Sequence, residues 1–305
     1  MKRLSIRTAA KINLCLRVLG RRADGYHEVE TVLHSIGIWD RLQVDEAEPG
    51  VLAVAATPET APQGKDNLCW LAASLLRDRT KVKGGAAIRV EKAIPTRSGL
   101  GGGSSDAAAA LAGLVRLWNL DLGGDELEAL AADIGADVPF FLRGGCCLAR
   151  GRGERLASWP ELSAWLVLVV PERRVSTAQA YAALKRGVTR GRRRDPSRPV
   201  QRLLAALRKG EVGALANALH NDFEGAAMAA IGDALRAKRD ILNAGCVGAA
   251  MSGSGSAVYG IARDEAAAKE AASRLGVKWP WVAVAPTLPA EESLVITEME
   301  TGRYG

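Results

Sequence analysis

Between residues 95 and 108 the chain reads Pro-Thr-Arg-Ser-Gly-Leu-Gly-Gly-Gly-Ser-Ser-Asp-Ala-Ala, and few backbones can carry such a run. Four glycines within five positions, Gly99, Gly101, Gly102 and Gly103, do not make the interior of a helix or a strand, because glycine weakens both and opens conformations that side chains forbid. Immediately downstream, Ala107 to Ala110 leads into Leu111, Leu114, Val115 and Trp118, the i, i+3, i+4, i+7 stripe of an amphipathic helix. The run therefore predicts a glycine loop that opens a helix, with Ser104 and Ser105 at the junction. Unpaired N–H donors of the first turn and the helix dipole together favour an anion, phosphate above all. A flexible linker is the competing reading, but linkers rarely separate a strand from a strong amphipathic helix.

The common phosphate motifs do not fit. The Gly64-Lys65 pair is followed by Asp66, where a Walker A loop requires Ser or Thr. A G-x-G-x-x-G register fails as well: counted from Gly99 it ends on Ser104, and from Gly101 on Asp106. P-loop ATPases, dinucleotide-binding folds and protein-kinase glycine loops are thus unsupported.

At 305 residues the chain is long enough for two domains. The longest strongly apolar run, Trp165 to Val170, stops at Pro171 and is far too short to span a membrane. Near the N-terminus Ala10, Ile12, Leu14 and Leu16 alternate with Lys11, Asn13, Cys15 and Arg17, a strand pattern whose polar members interrupt any signal-peptide core. Cys15, Cys69, Cys146, Cys147 and Cys246 have no C-x-x-C spacing, which predicts reduced thiols, a cytoplasmic protein and no cysteine metal site. Of the formal net charge of +7, residues 185–198 carry +6 (seven basic residues less Asp195), so the excess is one local run, not a basic face. Such a run is ordinarily a solvated loop, and no specific nucleic-acid partner is expected.

Periodicity predicts strands over 3–19, 28–46 and 86–94 and helices over 67–77 and 125–134. A change of texture near 151–160 suggests two domains, 1–158 and 159–305. The second half predicts a strand at 165–170 and helices near 176–186, 198–209, 211–219 and 227–243. A strand–glycine loop–strand follows over 247–262, then a helix at 264–275 and a strand at 281–286. Strands and helices do not alternate regularly enough for one doubly wound sheet, so the class is α+β.

Lys11 and Asn13 share one strand face. Taken alone, a strand-face lysine is solvent-facing, Tyr26 and His27 are surface residues of a turn, and Asp137 is a turn or cap residue in a short non-helical link before Val138-Pro139. Ser252-Gly253-Ser254-Gly255-Ser256 forms a second glycine loop between apolar strands.

In their joint order these segments resemble the GHMP kinase superfamily. Pro95 to Ala108 is similar to its phosphate loop and Met251 to Ser256 to its C-terminal glycine motif. Ala10-Lys11-Ile12-Asn13-Leu14, Asp24-Gly25-Tyr26-His27-Glu28, Gly135-Ala136-Asp137-Val138-Pro139-Phe140-Phe141 and Asn221-Asp222-Phe223-Glu224 resemble the branch that phosphorylates a cytidine diphosphate-linked polyol on the isoprenoid route that bypasses mevalonate. The resemblance implies a ribosomal-protein-S5-domain-2-like N-terminal domain, a ferredoxin-like C-terminal domain and an active site between them. It implies ATP as co-substrate with Mg2+, the ion being held mainly by phosphates, so no side chain is assigned to it. Lys11 and Asp137 are implied as the catalytic pair. Asn67, Pro95, Gly99, Leu100, Gly101, Gly102, Gly103, Ser104 and Ser105 are implied to bind ATP, and Asn13, Tyr26, His27, Thr177, Tyr181, Gly253, Ser254 and Gly255 to bind the substrate. Tyr181 stands where phenylalanine is frequent, and Arg97-Ser98 where small residues are usual; Arg97 is expected to point to solvent. A monomer or weak homodimer is expected. The alternatives are a mevalonate- or homoserine-type GHMP kinase, or a non-catalytic RNA-binding relative.

Overall fold

In the first 47 residues the period-two pattern produces two long antiparallel strands, β1 (Arg3–Arg21) and β2 (His27–Ala47). Asp24 and Gly25 make the turn between them: Asp24 accepts the Tyr26 N–H at 3.1 Å and Gly25 takes a φ of +87°. The computed structural model describes residues 2–172, 179–182, 184, 198–224 and 232–299. Around β1 and β2 an eight-stranded sheet assembles from β3 (Leu52–Thr57), β4 (Gly85–Glu91), β5 (Cys146–Gly151), β6 (Arg155–Trp159), β8 (His220–Asn221) and β12 (Leu294–Met299), with main order β12-β1-β2-β4-β3. A second, four-stranded sheet runs β11-β7-β10-β9, from β7 (Trp165–Val169), β9 (Gly248–Met251), β10 (Val258–Ala262) and β11 (Val282–Pro286).

Helices α1 (Leu68–Thr80), α2 (Gly102–Leu117) and α4 (Val138–Arg143) pack over the first sheet, with α3 (Gly124–Ile134) beside them. The expected stripe holds at Leu111 and Leu114, but Val115 and Trp118 are only half-buried. Ala107 to Ala110 are all fully buried, because α2 lies under several neighbours and its small side chains allow their close approach. The apolar run at β7 is explained by burial on both faces. Leu166 and Leu168 join Ile12, Leu14, Ile36 and Tyr259 in a core between the two sheets. Val167 and Val169 point the other way, to a core with Ala234, Ala237 and Ile241 and with Ala268, Ala271 and Leu275 on the two covering helices.

From the second half of the chain, β8 and β12 return to pair with β1 in the first sheet. As expected, Asp137 stands in a short non-helical link, residues 135–137, as the N-cap of α4, and Pro139 lies in the first turn of that helix, where its missing N–H costs nothing. All five cysteines are free and buried. Among the described residues no helix is long and apolar enough to cross a membrane. Thr177 and most of the basic run, residues 185–197, lie outside the described residues.

Candidate active site

A cleft of about 1040 Å³ gathers residues that are far apart in the chain. Its floor is β1. Lys11 is only 3 % exposed, contrary to the ordinary behaviour of a strand-face lysine, because the glycine loop roofs it. The Lys11 N–H donates to Leu100 O at 3.0 Å, and a Cβ at Gly101 would strike Phe141 at 2.5 Å and the Lys11 stem at 3.1 Å. Only glycine permits that contact, at a φ of +78°.

The Lys11 ammonium donates to Asn13 Oδ1 at 2.7 Å and lies 3.7 Å from Asp137 Oδ2. Burial pulls its pKa below the ordinary lysine value, with Asp137 opposing. Asn13 Nδ2 in turn donates to Thr31, whose hydroxyl donates to Cys15 O at 2.6 Å, so the pair has a fixed support. Asp137 takes the N-cap position of α4 but bonds no helix N–H, and its carboxylate is 40 % exposed to the cleft.

One wall is the loop and first turn of α2. Ser105 N–H makes the first intrahelical bond, to Gly101 O at 2.9 Å, so the N–H groups of Gly102, Gly103 and Ser104 precede the helix ladder. Gly99, Gly101, Gly102, Gly103, Ser104 and Pro95 all line the cleft. Leu100 and Ser105 do not. Leu100 is fully buried, and the Ser105 hydroxyl bonds Ala9 O and Thr8 Oγ1, both at 2.7 Å, anchoring α2 to β1. Asn67 lines the cleft too, but its carbonyl caps α1 through the Cys69 N–H at 2.9 Å and its amide donates to Pro62 O at 2.8 Å. Arg97 is exposed at the rim.

The second glycine loop docks on the first. Ser252 Oγ donates to Gly99 O at 2.9 Å, Ala257 N–H to Ser98 O at 2.8 Å, and Asn221 Nδ2 holds Met251 O and Gly253 O, each at 2.8 Å. Gly253 and Ser254 reach the cleft; Gly255 packs instead against Met251.

At the far end Tyr26 is 55 % exposed and Tyr181 half-buried. His27 stacks on Tyr181 with centroids 4.2 Å apart, and Phe223 meets Tyr181 edge-on at 4.9 Å. Burial, with a smaller push from Asp137, raises the Tyr181 pKa.

Sequence reasoning missed Thr31, Lys92, Asp106, Arg152, Glu172 and, as a cleft residue, Phe223. Lys92 bridges the buried Asp40 and Asp106; burial opposes its charge, but the two carboxylates outweigh it and raise its pKa. Burial pushes Asp106 well above the ordinary carboxylate range, with Lys92 opposing and Asp40 adding. Asp106 Oδ1 is a buried oxygen with no hydrogen-bond partner among the described residues. Only its position one turn into the helix that the glycine loop opens could have singled it out.

Family models described as the GHMP kinases N terminal domain and GHMP kinases C terminal match residues 67–145 and 203–280. Among curated relatives, 4-diphosphocytidyl-2-C-methyl-D-erythritol kinase of Pelotomaculum thermopropionicum is 44% identical over 267 residues, covering 87% of this chain and 91% of its own. The enzyme of the same name from Moorella thermoacetica is 40% identical, covering 93% and 99%. A crystal structure of 4-(cytidine 5'-diphospho)-2C-methyl-D-erythritol kinase superposes with a TM-score of 0.78 at 37% identity, over 94% of this chain and 99% of that one. Homoserine kinase from Cytophaga hutchinsonii also reaches 0.78, at 16% identity over 97% of each chain, a likeness of fold alone.

Proposed function

This chain belongs to the 4-diphosphocytidyl-2-C-methyl-D-erythritol kinases, within the GHMP kinases, and from that premise we propose that it moves the γ-phosphate of ATP to the 2-hydroxyl of 4-diphosphocytidyl-2-C-methyl-D-erythritol. The products are the 2-phosphate and ADP, in the isoprenoid precursor route that does not use mevalonate. The observation that carries the mechanism is the meeting, in one cleft, of the Lys11 ammonium, the Asp137 carboxylate and the unladdered N–H groups of α2.

Each group suits one requirement of the transfer. A hydroxyl is a poor nucleophile, and Asp137 accepts its proton as the new O–P bond forms and the bond to the ADP oxygen breaks, an effect worth about 10²–10⁴ in rate. Lys11, held by Asn13, stabilises that carboxylate and then the charge on the moving phosphoryl group. The N–H groups of Gly102, Gly103 and Ser104 cradle the triphosphate at the positive end of α2. Mg2+ suits this wall: among the described residues no three metal-ligating side chains cluster, but Asp106 Oδ1 is buried and unpartnered. A single protein ligand fits an ion that draws most of its ligands from phosphate. Asp106 would hold it, and the ion would spread the charge of the β- and γ-oxygens.

Tyr26 and Tyr181 grip the cytosine, with base stacking worth about 1–3 kcal/mol, and His27 reads its polar edge. The base takes the Tyr181 face that His27 covers, freeing the imidazole to bond. Gly253, Ser254 and Asn13 face the substrate's polar middle.

An ADP-release assay tests this assignment. Turnover with the cytidyl substrate, and far slower turnover with mevalonate or homoserine, is expected. Comparable rates with either of those two alcohols would overturn it.

A further inference from the structure

The hairpin between β5 and β6 carries three arginines with different fates. Arg150 pairs with Glu30 at 2.9 Å and Arg155 with Glu28 at 3.1 Å, both on β2. Arg152, at the tip, makes no ion pair among the described residues. Its guanidinium lies over the Tyr26 ring, 5.0 Å from the centroid, and one nitrogen donates to Ala132 O at 3.3 Å. The side chain lines the cleft and is half-buried. Most of its five N–H donors therefore remain for a ligand.

The tip itself is well held. Glu154 accepts the Arg152 N–H at 2.6 Å, and Gly151 takes a φ of +78°. A Cβ at Gly153 would lie 3.7 Å from Asp137 Oδ1, so this residue abuts the proton acceptor while its neighbour Arg152 abuts Tyr26. The segment thus spans the interval between the two ends of the cleft.

We propose that Arg152 binds the diphosphate of the cytidyl substrate and makes the cleft discriminate for it. This rests on the reading above, in which Tyr26 takes the base and Asp137 the reacting hydroxyl. A molecule with a base at one end and that hydroxyl at the other carries its diphosphate between them, where the guanidinium stands. Two of the other cleft cations are committed elsewhere, Lys11 to Asn13 and Asp137 and Lys92 to Asp40 and Asp106, while Arg97 stands exposed on the glycine loop that is read as holding the triphosphate. A second polyanion beside the nucleotide triphosphate meets strong repulsion unless a cation accompanies it. Arginine's planar fork suits two phosphate oxygens at once, which a lysine would meet only as a point charge.

Inhibition constants of cytidine and of CDP, measured against the kinase reaction for wild type, Arg152→Ala and Arg152→Lys, test the proposal. Arg152→Ala is expected to weaken CDP by about 10–100-fold, the loss of a charged hydrogen-bond pair, while cytidine changes little. KM for the cytidyl substrate should rise in parallel, with KM for ATP and kcat nearly constant, and Arg152→Lys should recover part of the loss. Equal weakening of cytidine and CDP would reduce Arg152 to a prop for Tyr26 and overturn the proposal, as would undiminished CDP binding. A wild-type protein that binds neither cytidine nor CDP would instead overturn the reading of the cleft on which the proposal stands.

Discussion

Asp137 occupies the N-cap of α4 without bonding a helix N–H, which leaves its carboxylate to the cleft and makes its removal a clean test. Asp137→Asn should lower kcat by about 10²–10⁴-fold while KM for both substrates changes little, in steady-state kinetics. A loss confined to KM would mean that the residue only binds. The carboxylate caps nothing, so any loss of thermal stability should come from the counter-charge it gives the buried Lys11 ammonium and not from the helix. At this scale the sequence was legible in part. Period two puts Lys11 and Asn13 on one face, but nothing in that period tells that the face is roofed by Leu100 and Gly101. Ser105 misled for the converse reason: adjacent to Ser104 in the chain, it is turned by the helix toward β1 and used there.

The two glycine loops meet backbone to backbone, and Gly99 is where they touch. Its φ is +86°, and an added Cβ would sit 2.2 Å from Ser252 O. Gly99→Ala should therefore cost about 1–3 kcal/mol in denaturant unfolding and raise KM for ATP, since the loop must shift. Gly103→Ala is the internal comparison. Its Cβ would meet only Leu68, at an ordinary 3.6 Å, inside a helix that favours alanine. Its stability should match or slightly exceed wild type; a loss as large as that at Gly99 would contradict this account of the loop. The glycine loops and the long helices declared themselves through composition and period. The strands β3, β5, β6 and β12 did not: all are short, β3, β6 and β12 stand at sheet margins where alternation is weak, and β5, held between β2 and β6, is buried almost throughout. Pairing over such distances is set by tertiary contacts that no local window contains.

At the scale of the molecule, the chain passes from one sheet to the other four times, and the first and last passages, β6 to β7 and β11 to β12, lie side by side. Ala164 N–H donates to Thr287 Oγ1 at 2.9 Å, Thr287 N–H to Ala164 O at 2.9 Å, and Leu288 N–H to Ser35 O at 2.9 Å. Beneath them His34 is fully buried; its Nε2 accepts the Leu162 N–H at 2.9 Å and its Nδ1 donates to Ser35 O at 3.0 Å. Burial lowers its pKa to about 4, with the Ser35 bond opposing. The unfolded chain takes a proton on this ring below pH 6.5, whereas the folded chain does not until near pH 4. The contribution to stability is therefore whole above pH 6.5 and is lost as pH falls toward 4, about 2 kcal/mol by pH 5. Denaturant unfolding at pH 7.5 and 5.0 should show the drop. His34→Gln should be less stable at pH 7.5 and show a smaller difference between the two pH values; an unchanged difference would assign the acid sensitivity to other groups.

Between the sheets, Ile12, Leu14 and Ile36 share one hydrocarbon core with Leu166, Leu168 and Tyr259, and the Tyr259 hydroxyl bonds Asn13 O at 2.9 Å. To swing the two halves apart would bare that oil to water and tear the support from under the strand that carries Lys11. For the transfer proposed above, that joint favours reactants that come and go past the side chains of the cleft, Tyr26, Arg97 and Arg152, over any parting of the two sheets.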